Sequence, residues 1–341
     1  MSLDLPMIWA VIIATAVFLY VVLDGFDLGV GILFPFASDR ERDVMVASIA
    51  PVWDGNETWL VLGGGGLFAA FPLAYSVLMP AMYLPVGFML TALIFRGVAF
   101  EFRAKAGVRG RRFWTRAFTG GSLVAALSQG LILGGFLQGI TVHGRSFAGG
   151  HWDWLSPFSL LVAASLAVGY ALLGACWLVF KTEGELNAKV RRWAQQLAPA
   201  VGFAMFSVSL AMLSVNPEVS RTWGVSMTSV DWVRFLPVAP LPLLAGLAIL
   251  SCWWHAGRLK SELPPILSAV GIFVTGFIGL AISTYPNIIP YDISIRDAAA
   301  ADNALSLMLV GVVVMLPVIL GYTAYVYYVF RGKATEDAAY H

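Results

Sequence analysis

Charged residues are scarce in this sequence. Asp, Glu, Lys and Arg make up 12% of it and hydrophobic residues 59%, whereas ordinary soluble domains carry about 25% charged residues. The net charge is +1 and no long basic block occurs, so nothing favours binding to nucleic acid. These shortages exclude an ordinary soluble domain and indicate a protein that crosses a membrane several times.

Residues that bind metals or form disulfides are also few. Cys176 and Cys252 lie in apolar segments without a CxxC spacing, so we expect small core residues rather than a disulfide or a zinc site. Membrane haems are commonly held by histidines deep within a bundle. The four histidines instead fall in loops, at the ends of apolar segments or at the terminus: His143, His151, His255 and His341. We therefore predict no metal site and no haem bound by this chain alone.

Long apolar segments make up most of the chain. A helix needs about 20 apolar residues to cross the hydrocarbon core, and nine segments reach that length. They lie at 7–35, 50–71, 74–100, 117–142, 157–181, 195–215, 236–256, 265–284 and 303–330. The N-terminus lacks the basic start and cleavage site of a signal peptide, so the first segment is expected to stay as a helix. The sequence predicts an all-α integral membrane protein with nine transmembrane helices in a single domain, 1–341.

The basic residues favour one orientation in the membrane. With the N-terminus outside, sixteen of the 21 Lys and Arg residues fall in cytoplasmic segments, four fall outside, and Arg96 lies within a span. This asymmetry follows the positive-inside rule. We therefore predict an outside N-terminus and a cytoplasmic C-terminus.

Two acidic pairs interrupt the apolar segments. Asp24 and Asp27 lie near the cytoplasmic end of the first span, and Asp54 and Glu57 lie in the first turns of the second. The members of each pair are three residues apart, so they share a helix face and can point at one neighbour. Carboxylates inside spanning helices are costly and usually mark a pathway or a site. The two pairs are therefore the main functional signal in the sequence.

Opposing effects act on the second acidic pair. The free N–H groups of a helix start favour ionised carboxylates by about 0.3 to 1 kcal/mol each, whereas burial favours the neutral form. A carboxyl balanced between them can take up and release protons, as a relay requires. Alternatively, Asp54 or Glu57 only caps its helix and pairs with Arg96. Arg96 and Glu101, near the cytoplasmic end of the third span, are the predicted charge partners.

Glycines and tryptophans accompany the acidic pairs. Gly25-x-x-x-Gly29 and the run Gly63 to Gly66 allow helices to approach closely, which is the ordinary role of small residues in membrane bundles. Trp53 fits the aromatic belt at the membrane interface. Trp59, nearly two turns deeper, is expected to line a cavity.

Several motifs in the first third of the chain occur together: DGFDLGVG (24–31), SIAPVWDGNETWL (48–60), LFAAFP (67–72) and FRGVAFEFR (95–103). With the nine spans, they resemble subunit II of the cytochrome bd-type quinol oxidases. The likeness is dense over roughly the first 105 residues. It continues more thinly through GEL (184–186), YP (285–286) and LPVILGYT (316–323).

The resemblance implies a respiratory complex of the bacterial inner membrane. In such oxidases a companion subunit I carries haem b and haem b/d, oxidises quinol and reduces oxygen to water. Subunit II has two four-helix bundles plus one peripheral helix, and no catalytic residue is expected in it. Small single-span accessory subunits and a bound quinone are further partners that the resemblance allows.

The resemblance also implies roles for single residues. Asp27 and Asp54 match the acidic positions of a cytoplasmic proton pathway to subunit I, and we add Asp24 and Glu57, although some relatives carry glutamine in place of Glu57. Trp59 matches a position beside the oxygen route. Together with Trp53, it is assigned to that route or to the partner interface.

Alternatives from other functional classes stay open at this stage. The same carboxylates could couple protons to a solute in a secondary transporter, although no internal repeat is visible. The chain could also be a purely structural assembly subunit. We predict the oxidase subunit, with quinol and oxygen as substrates of the complex and membrane lipid around it.

Overall fold

Helices form nearly all of the structure, a computed structural model that describes residues 4–259 and 262–334. In these ranges the helices are α1 Leu5–Leu33, α2 Asp39–Ile49, α3 Trp53–Ala70, α4 Pro72–Lys105, α5 Val108–Gln138, α6 Pro157–Lys181, α7 Gly184–Val215, α8 Pro217–Trp223, α9 Trp232–Val238, α10 Pro240–Ala256, α11 Leu263–Thr284, α12 Ile295–Ala298 and α13 Asp302–Val329. Two antiparallel hairpins lie between them: β1 Val142–His143 with β2 Ser146–Phe147, and β3 Asn287–Ile289 with β4 Ile293–Ser294. The prediction of an all-α membrane protein is confirmed.

Among the described residues, seven helices are long and apolar enough to cross a membrane. They are α1, α4, α5, α6, α7, α11 and α13, and α9 with α10 forms an eighth candidate that is bent by 42°. The predicted span 50–71 corresponds to α3, which has 18 residues but a polar first half containing Asp54, Asn56 and Glu57. Its place as a ninth transmembrane helix stays a prediction.

Most predicted spans lie within a few residues of the observed helices. The segment 157–181 coincides with α6. By contrast, α4 continues through Arg103 to Lys105, and α7 begins at Gly184 rather than near 195. Both helices continue beyond their apolar segments, so a hydrophobic stretch alone does not mark where a helix begins or ends.

The helices α1 and α6 approach each other most closely at two glycines. A Cβ built on Gly29 would lie 1.8 Å from the Tyr170 carbonyl oxygen, and one on Gly174 would lie 2.4 Å from the Gly29 carbonyl carbon. Small residues permit such contact between backbones. The predicted packing role is thus visible at Gly29, whereas Gly64 and Gly65 have nothing within 4 Å of a built Cβ.

Two groups of helices pack around this contact. The first consists of α1, α3, α4 and α5, and the second of α6, α7, α10 and α11. Cys176 and Cys252 are fully buried free thiols in the second group, with their sulfur atoms 3.6 Å apart, as expected of small core residues. The last helix, α13, is only 6% buried over its most apolar stretch.

Helix α2 was not predicted from the sequence. Ser38 begins it with a capping box: the Ser38 N–H donates to the Glu41 carboxylate at 2.6 Å, and the Glu41 N–H donates to Ser38 Oγ at 3.4 Å. Met45 and Ile49, on its inner face, are buried. Serine followed three residues later by glutamate is the signal that could have identified this helix.

Candidate functional site

Arg96 links three helices through buried ion pairs. Its Nη1 donates to Asp24 Oδ1 at 2.5 Å, and its Nη2 donates to Glu57 Oε2 at 3.1 Å. The side chains of Arg96 and Asp24 are 2% and 0% exposed, whereas that of Glu57 is 29% exposed. The guanidinium also lies 5.9 Å from the ring centroid of Trp53. One cation on α4 therefore faces carboxylates from both α1 and α3.

Asp27 is buried close by but contacts a different neighbour. Its Oδ2 accepts a hydrogen bond from Asn56 Nδ2 at 2.8 Å, and Asn56 Oδ1 accepts one from the Tyr327 hydroxyl at 2.7 Å. This chain of bonds connects α1, α3 and α13. The two aspartates of α1 therefore do not point at one neighbour, as the sequence suggested, because Asp24 contacts Arg96 and Asp27 contacts Asn56.

Some carboxylate oxygens in this cluster lack a partner. Asp24 Oδ2 and Asp27 Oδ1 are buried and accept no hydrogen bond from any described residue. The guanidinium of Arg96 pairs with Asp24 and Glu57, and a third carboxylate, that of Asp27, bounds the same narrow space as Arg96 without pairing with it. So many like charges in one low-dielectric site are costly unless they are paired and hydrogen-bonded.

The space between the ion pair and Asp27 is narrow. It is bounded by Asp27, Arg96 and Trp53 together with Ile49, Phe100 and Phe118, and it does not admit a water molecule. A buried water needs room for at least one probe sphere of about 10 to 15 Å³. Ordered water therefore does not fill this space.

Asp54 and Thr58 lie on the exposed side of α3. Asp54 forms no hydrogen bond or ion pair with any described residue, and no side chain caps the start of α3. Thr58 Oγ1 donates only to the Gly55 carbonyl, at 2.6 Å. Further along the same side, Val61 is 73% and Phe68 is 62% exposed. This helix thus presents a carboxylate on a largely apolar surface.

The alternative interpretation is that Asp54 or Glu57 only caps α3 and pairs with Arg96. The structure gives a different answer for each residue. Glu57 does pair with Arg96, whereas Asp54 does neither. Glu101, the other predicted charge partner, forms no ion pair with any described residue. Arg96, the first of the predicted charge partners, pairs with Asp24 and Glu57.

The two tryptophans differ in their surroundings. Trp53 is half-buried and lies against Phe100, with ring centroids 5.0 Å apart. Trp59 is 2% exposed and packs beside Ala16 and Tyr20, and its indole N–H has no acceptor among the described residues.

A second ionic cluster joins α2, α4 and α5. Arg103 Nη1 donates to Asp43 Oδ1 at 2.9 Å, and Arg103 Nε donates to Thr115 Oγ1 at 3.1 Å. Arg111 pairs with the same carboxylate. Because Arg103 is 5% exposed and Asp43 is its acidic partner, this cluster fixes α2 against the ends of α4 and α5.

The described histidines lie in loops or at the end of a helix. His143 and His151 are exposed in the segment between α5 and α6, and His255 is in the last turn of α10, with Nδ1 2.9 Å from the Ser251 carbonyl oxygen. His341 lies outside the described residues. Within residues 4–259 and 262–334, no group of three or more His, Cys, Asp and Glu residues could hold a metal ion.

Comparison with known proteins identifies the family. The family model for cytochrome bd terminal oxidase subunit II matches residues 5–330. The chain belongs to this family. The resemblance drawn from the motifs is therefore confirmed.

Individual relatives of the subunit II family match over nearly their whole length. The chain is 32% identical to cytochrome bd-I ubiquinol oxidase subunit 2 of Escherichia coli (strain K12), over 98% of this chain and 96% of that protein. It is 26% identical to cytochrome bd ubiquinol oxidase subunit 2 of Bacillus subtilis (strain 168), over 96% of both. A chain in the structure of bd oxidase from Geobacillus thermodenitrificans has the same fold, with a TM-score of 0.74 over 96% of this chain and 99% of that chain, at 16% identity.

Sequence reasoning missed two residues of the cluster in this subunit II. Asn56 lies between Asp54 and Glu57 in the motif SIAPVWDGNETWL (48–60). It is 1% exposed, and a polar residue between two acidic ones on a membrane helix was the available signal. No spacing rule could connect it to Tyr327, which lies 271 residues further along the chain.

Proposed function

We propose that this chain is the non-haem subunit of a bd-type terminal quinol oxidase and supplies protons to a haem-bearing subunit I. The observation that carries the proposal is the buried cluster in which Arg96 pairs with Asp24 and Glu57, with Asp27 close by on Asn56. A haem on subunit I would supply the redox chemistry, with quinol and oxygen as the substrates of the complex. The positions of the described histidines, in loops and at a helix end, agree with haem b and haem b/d on the partner.

In the proposed pathway, the buried cluster holds a proton and the surface carboxylate passes it on. Glu57 is one turn from Asp54 on α3, so it connects the cluster to the exposed face of that helix. Arg96 offsets the charge of whichever carboxylate is ionised. Asn56 does not carry the proton, because an amide is a poor relay; it orients the carboxylate of Asp27 by donating to Oδ2.

The exposed face of α3 is the surface that we expect subunit I to cover. Asp54 lies in the first turn of α3, and a carboxylate there on an otherwise apolar helix surface is better suited to a protein partner than to lipid. The neighbouring helix α4 exposes large aromatic side chains as well, Phe88, Phe95 and Phe102. Coverage by subunit I would bury these rings and place Asp54 at the interface, where it can deliver protons.

The proposal includes the membrane topology. The two packed groups of helices and the loosely packed α13 support two four-helix bundles plus one peripheral helix, in a single domain with α3 as one of nine spans. The positive-inside asymmetry supports a periplasmic N-terminus and a cytoplasmic C-terminus in the bacterial inner membrane. The pathway then opens on the cytoplasmic side.

Oxygen access and further partners belong to the same proposal. Trp59, buried against α1, and Trp53, beside Arg96, are assigned to the oxygen route or to the interface with subunit I. Small single-span accessory subunits and a bound quinone are compatible with the large exposed apolar surface of the helices.

The test is Asp54→Asn in the oxidase purified with subunit I. We expect slower oxygen consumption with quinol as donor and an unchanged reduced-minus-oxidised haem spectrum, because the substitution removes a proton acceptor while keeping the size of the side chain. Asp54→Glu should restore much of the rate. Glu185→Gln, which changes an exposed carboxylate at the start of α7, is the matched control.

Two results would contradict the pathway. Full turnover in Asp54→Asn would remove the relay role and leave a structural assembly subunit. Transport of a solute by the chain alone in vesicles, without a haem-bearing partner, would instead support a proton-coupled secondary transporter. Membership of an oxidase subunit family argues against the second result.

A further inference from the structure

A second cavity lies where the ends of α6 and α13 meet the start of α3. Its volume is about 220 Å³, and it is lined by Ser48, Pro51, Val52, Trp177, Phe180, Lys181, Tyr327, Phe330 and Arg331. Pockets that hold drug-sized ligands are usually about 300 to 1,000 Å³. This cavity therefore suits a compact chemical group rather than a large molecule.

The charged group most deeply buried in this wall is Lys181. It is 5% exposed, and its ammonium donates to the Phe330 carbonyl at 2.5 Å and to the Gly332 carbonyl at 2.6 Å. An ammonium has three N–H groups, so one remains for another acceptor. Lys181 forms no ion pair with any described residue. Burying a charge without an opposite charge is costly, which favours a bound anion.

Other donors in the wall point to the same chemistry. Trp177 is 7% exposed, and its indole N–H has no acceptor within the described chain. Arg331 lies at the rim of the cavity. Its Nη1 donates to the Tyr328 carbonyl at 3.0 Å, and it forms no ion pair with a described residue. None of the nine lining residues is acidic. The cavity thus combines two cations and a free N–H donor with no carboxylate.

We propose that this cavity binds a phosphate group, supplied either by the headgroup of an anionic phospholipid or by inorganic phosphate. Basic pockets between transmembrane helices on the cytoplasmic side bind lipid headgroups of this kind. The rings of Phe180 and Phe330 and the side chain of Val52 would contact the glycerol portion of a lipid. The inference rests on the proposed function only for the placement of these helix ends at the cytoplasmic membrane surface.

The experiment measures phosphatidylglycerol binding to the delipidated oxidase complex by native mass spectrometry. A basic residue near an anionic surface contributes about 1 kcal/mol, so Lys181→Gln and Arg331→Gln should each weaken binding by about five-fold. Trp177→Phe keeps the ring and removes only the N–H donor, and it should weaken binding several-fold. Arg112→Gln, an exposed cytoplasmic-side arginine on α5, is the control and should bind as the parent does.

Competition by inorganic phosphate and a comparison with phosphatidylcholine distinguish the two sources of the phosphate group. Displacement of phosphatidylglycerol by millimolar inorganic phosphate supports the free anion, whereas no displacement together with weaker binding of zwitterionic phosphatidylcholine supports the lipid headgroup. Equal binding of phosphatidylglycerol and of inorganic phosphate by the parent and all three cavity variants would overturn the site. If Lys181→Gln fails to assemble, as judged by the haem spectrum, Arg331→Gln and Trp177→Phe carry the test.

The acidic end of the chain itself is a competing occupant. Glu336 and Asp337 follow Arg331 in the sequence, so a chain that ends at Ala334 should be compared with the full chain. Equal phosphatidylglycerol binding by the two supports the phosphate site. Binding only after truncation would show that the chain fills its own cavity and would overturn the proposal. Because lipid binding is measured apart from turnover, its failure is distinguishable from failure of the proton pathway.

Discussion

Asp24 and Arg96 form an ion pair that solvent does not reach. Their atoms Oδ1 and Nη1 are 2.5 Å apart, and the two side chains are 0% and 2% exposed. Burying both charges is costly, so the pair is weak evidence for stability by itself, but removing one partner leaves an uncompensated charge. The pair therefore connects α1 to α4 through the interior of the structure.

This relationship predicts that Arg96→Gln destabilises the complex strongly. Leaving the carboxylates of Asp24 and Glu57 without their cation should cost roughly 3 to 5 kcal/mol. The double variant Arg96→Gln with Asp24→Asn should recover part of that loss, because it removes a charge as well as its partner. Thermal unfolding of the purified complex measures both. Strictly additive losses would show that the two residues act independently.

The contact between α1 and α6 predicts a steric effect at Gly29. Gly29→Ala places a Cβ against the Tyr170 carbonyl oxygen, and the backbones must separate. We expect a loss of about 1 to 3 kcal/mol or more, the usual cost of overpacking, seen as low yield and a lower unfolding temperature. Gly246→Ala on α10, where nothing lies within 4 Å of a built Cβ, should be neutral. Equal effects of the two substitutions would contradict this account.

The hydrogen bond between Tyr327 and Asn56 predicts a role in positioning Asp27. Tyr327→Phe removes the hydroxyl and leaves Asn56 Oδ1 without its donor. A lost hydrogen bond is worth about 0.5 to 1.5 kcal/mol, so turnover should fall by roughly two- to ten-fold while the haem spectrum is kept. Tyr325→Phe, which changes an exposed residue of the same helix, serves as the control. Asn56→Ala should lower turnover at least as much, and normal rates in both site variants would remove the positioning role.

A pair outside the membrane predicts a pH-dependent contribution to stability. Burial raises the pKa of Glu41, but hydrogen bonds from Lys189 and Ser38 outweigh it and hold the pKa below the ordinary value of 4.5. A lowered folded-state pKa contributes stability above about pH 4.5, and this contribution is lost as the pH falls through the folded-state pKa. Glu41→Gln should therefore lower the unfolding temperature at pH 7 but have little effect at a pH below the folded-state pKa. The effect should be about 1 kcal/mol or less.

The control for Glu41 is Glu183→Gln, since Glu183 is an exposed carboxylate without an ion pair to any described residue. It should leave the unfolding temperature unchanged at both pH values. A Glu41→Gln effect that grows as the pH falls would reverse the expected sign and refute the assignment.

Much of the fold was predictable because membrane helices need long apolar stretches. The segment 157–181 matches α6 to the residue. Helix α2 was missed because it lies outside the apolar segments and is recognised only by its capping box. Hydropathy also does not decide whether α3 crosses the membrane, since Asp54 and Glu57 lower the apolar character of its first turns.

The candidate site was predictable in its composition but not in its pairing. Periodicity places Asp24 and Asp27 on one side of α1, yet it cannot say that α4 reaches one of them and α3 the other. That division depends on how the helices are rotated and spaced in the packed structure. The hydroxyl of Tyr327 is an extreme case, because its contact with Asn56 comes from the last helix of the chain.

The loose packing of α13 bears on how the protein is made. This helix follows all the other described helices in the chain and gains little burial from them. Polar contacts hold it near its ends, where Trp9 donates to the Leu305 carbonyl at 3.0 Å and Lys181 to the Phe330 carbonyl at 2.5 Å. The chain of bonds to Asp27 is therefore completed only when α13 has been inserted. A chain cut before Tyr327 lacks this contact, so assembly of the carboxylate site depends on α13.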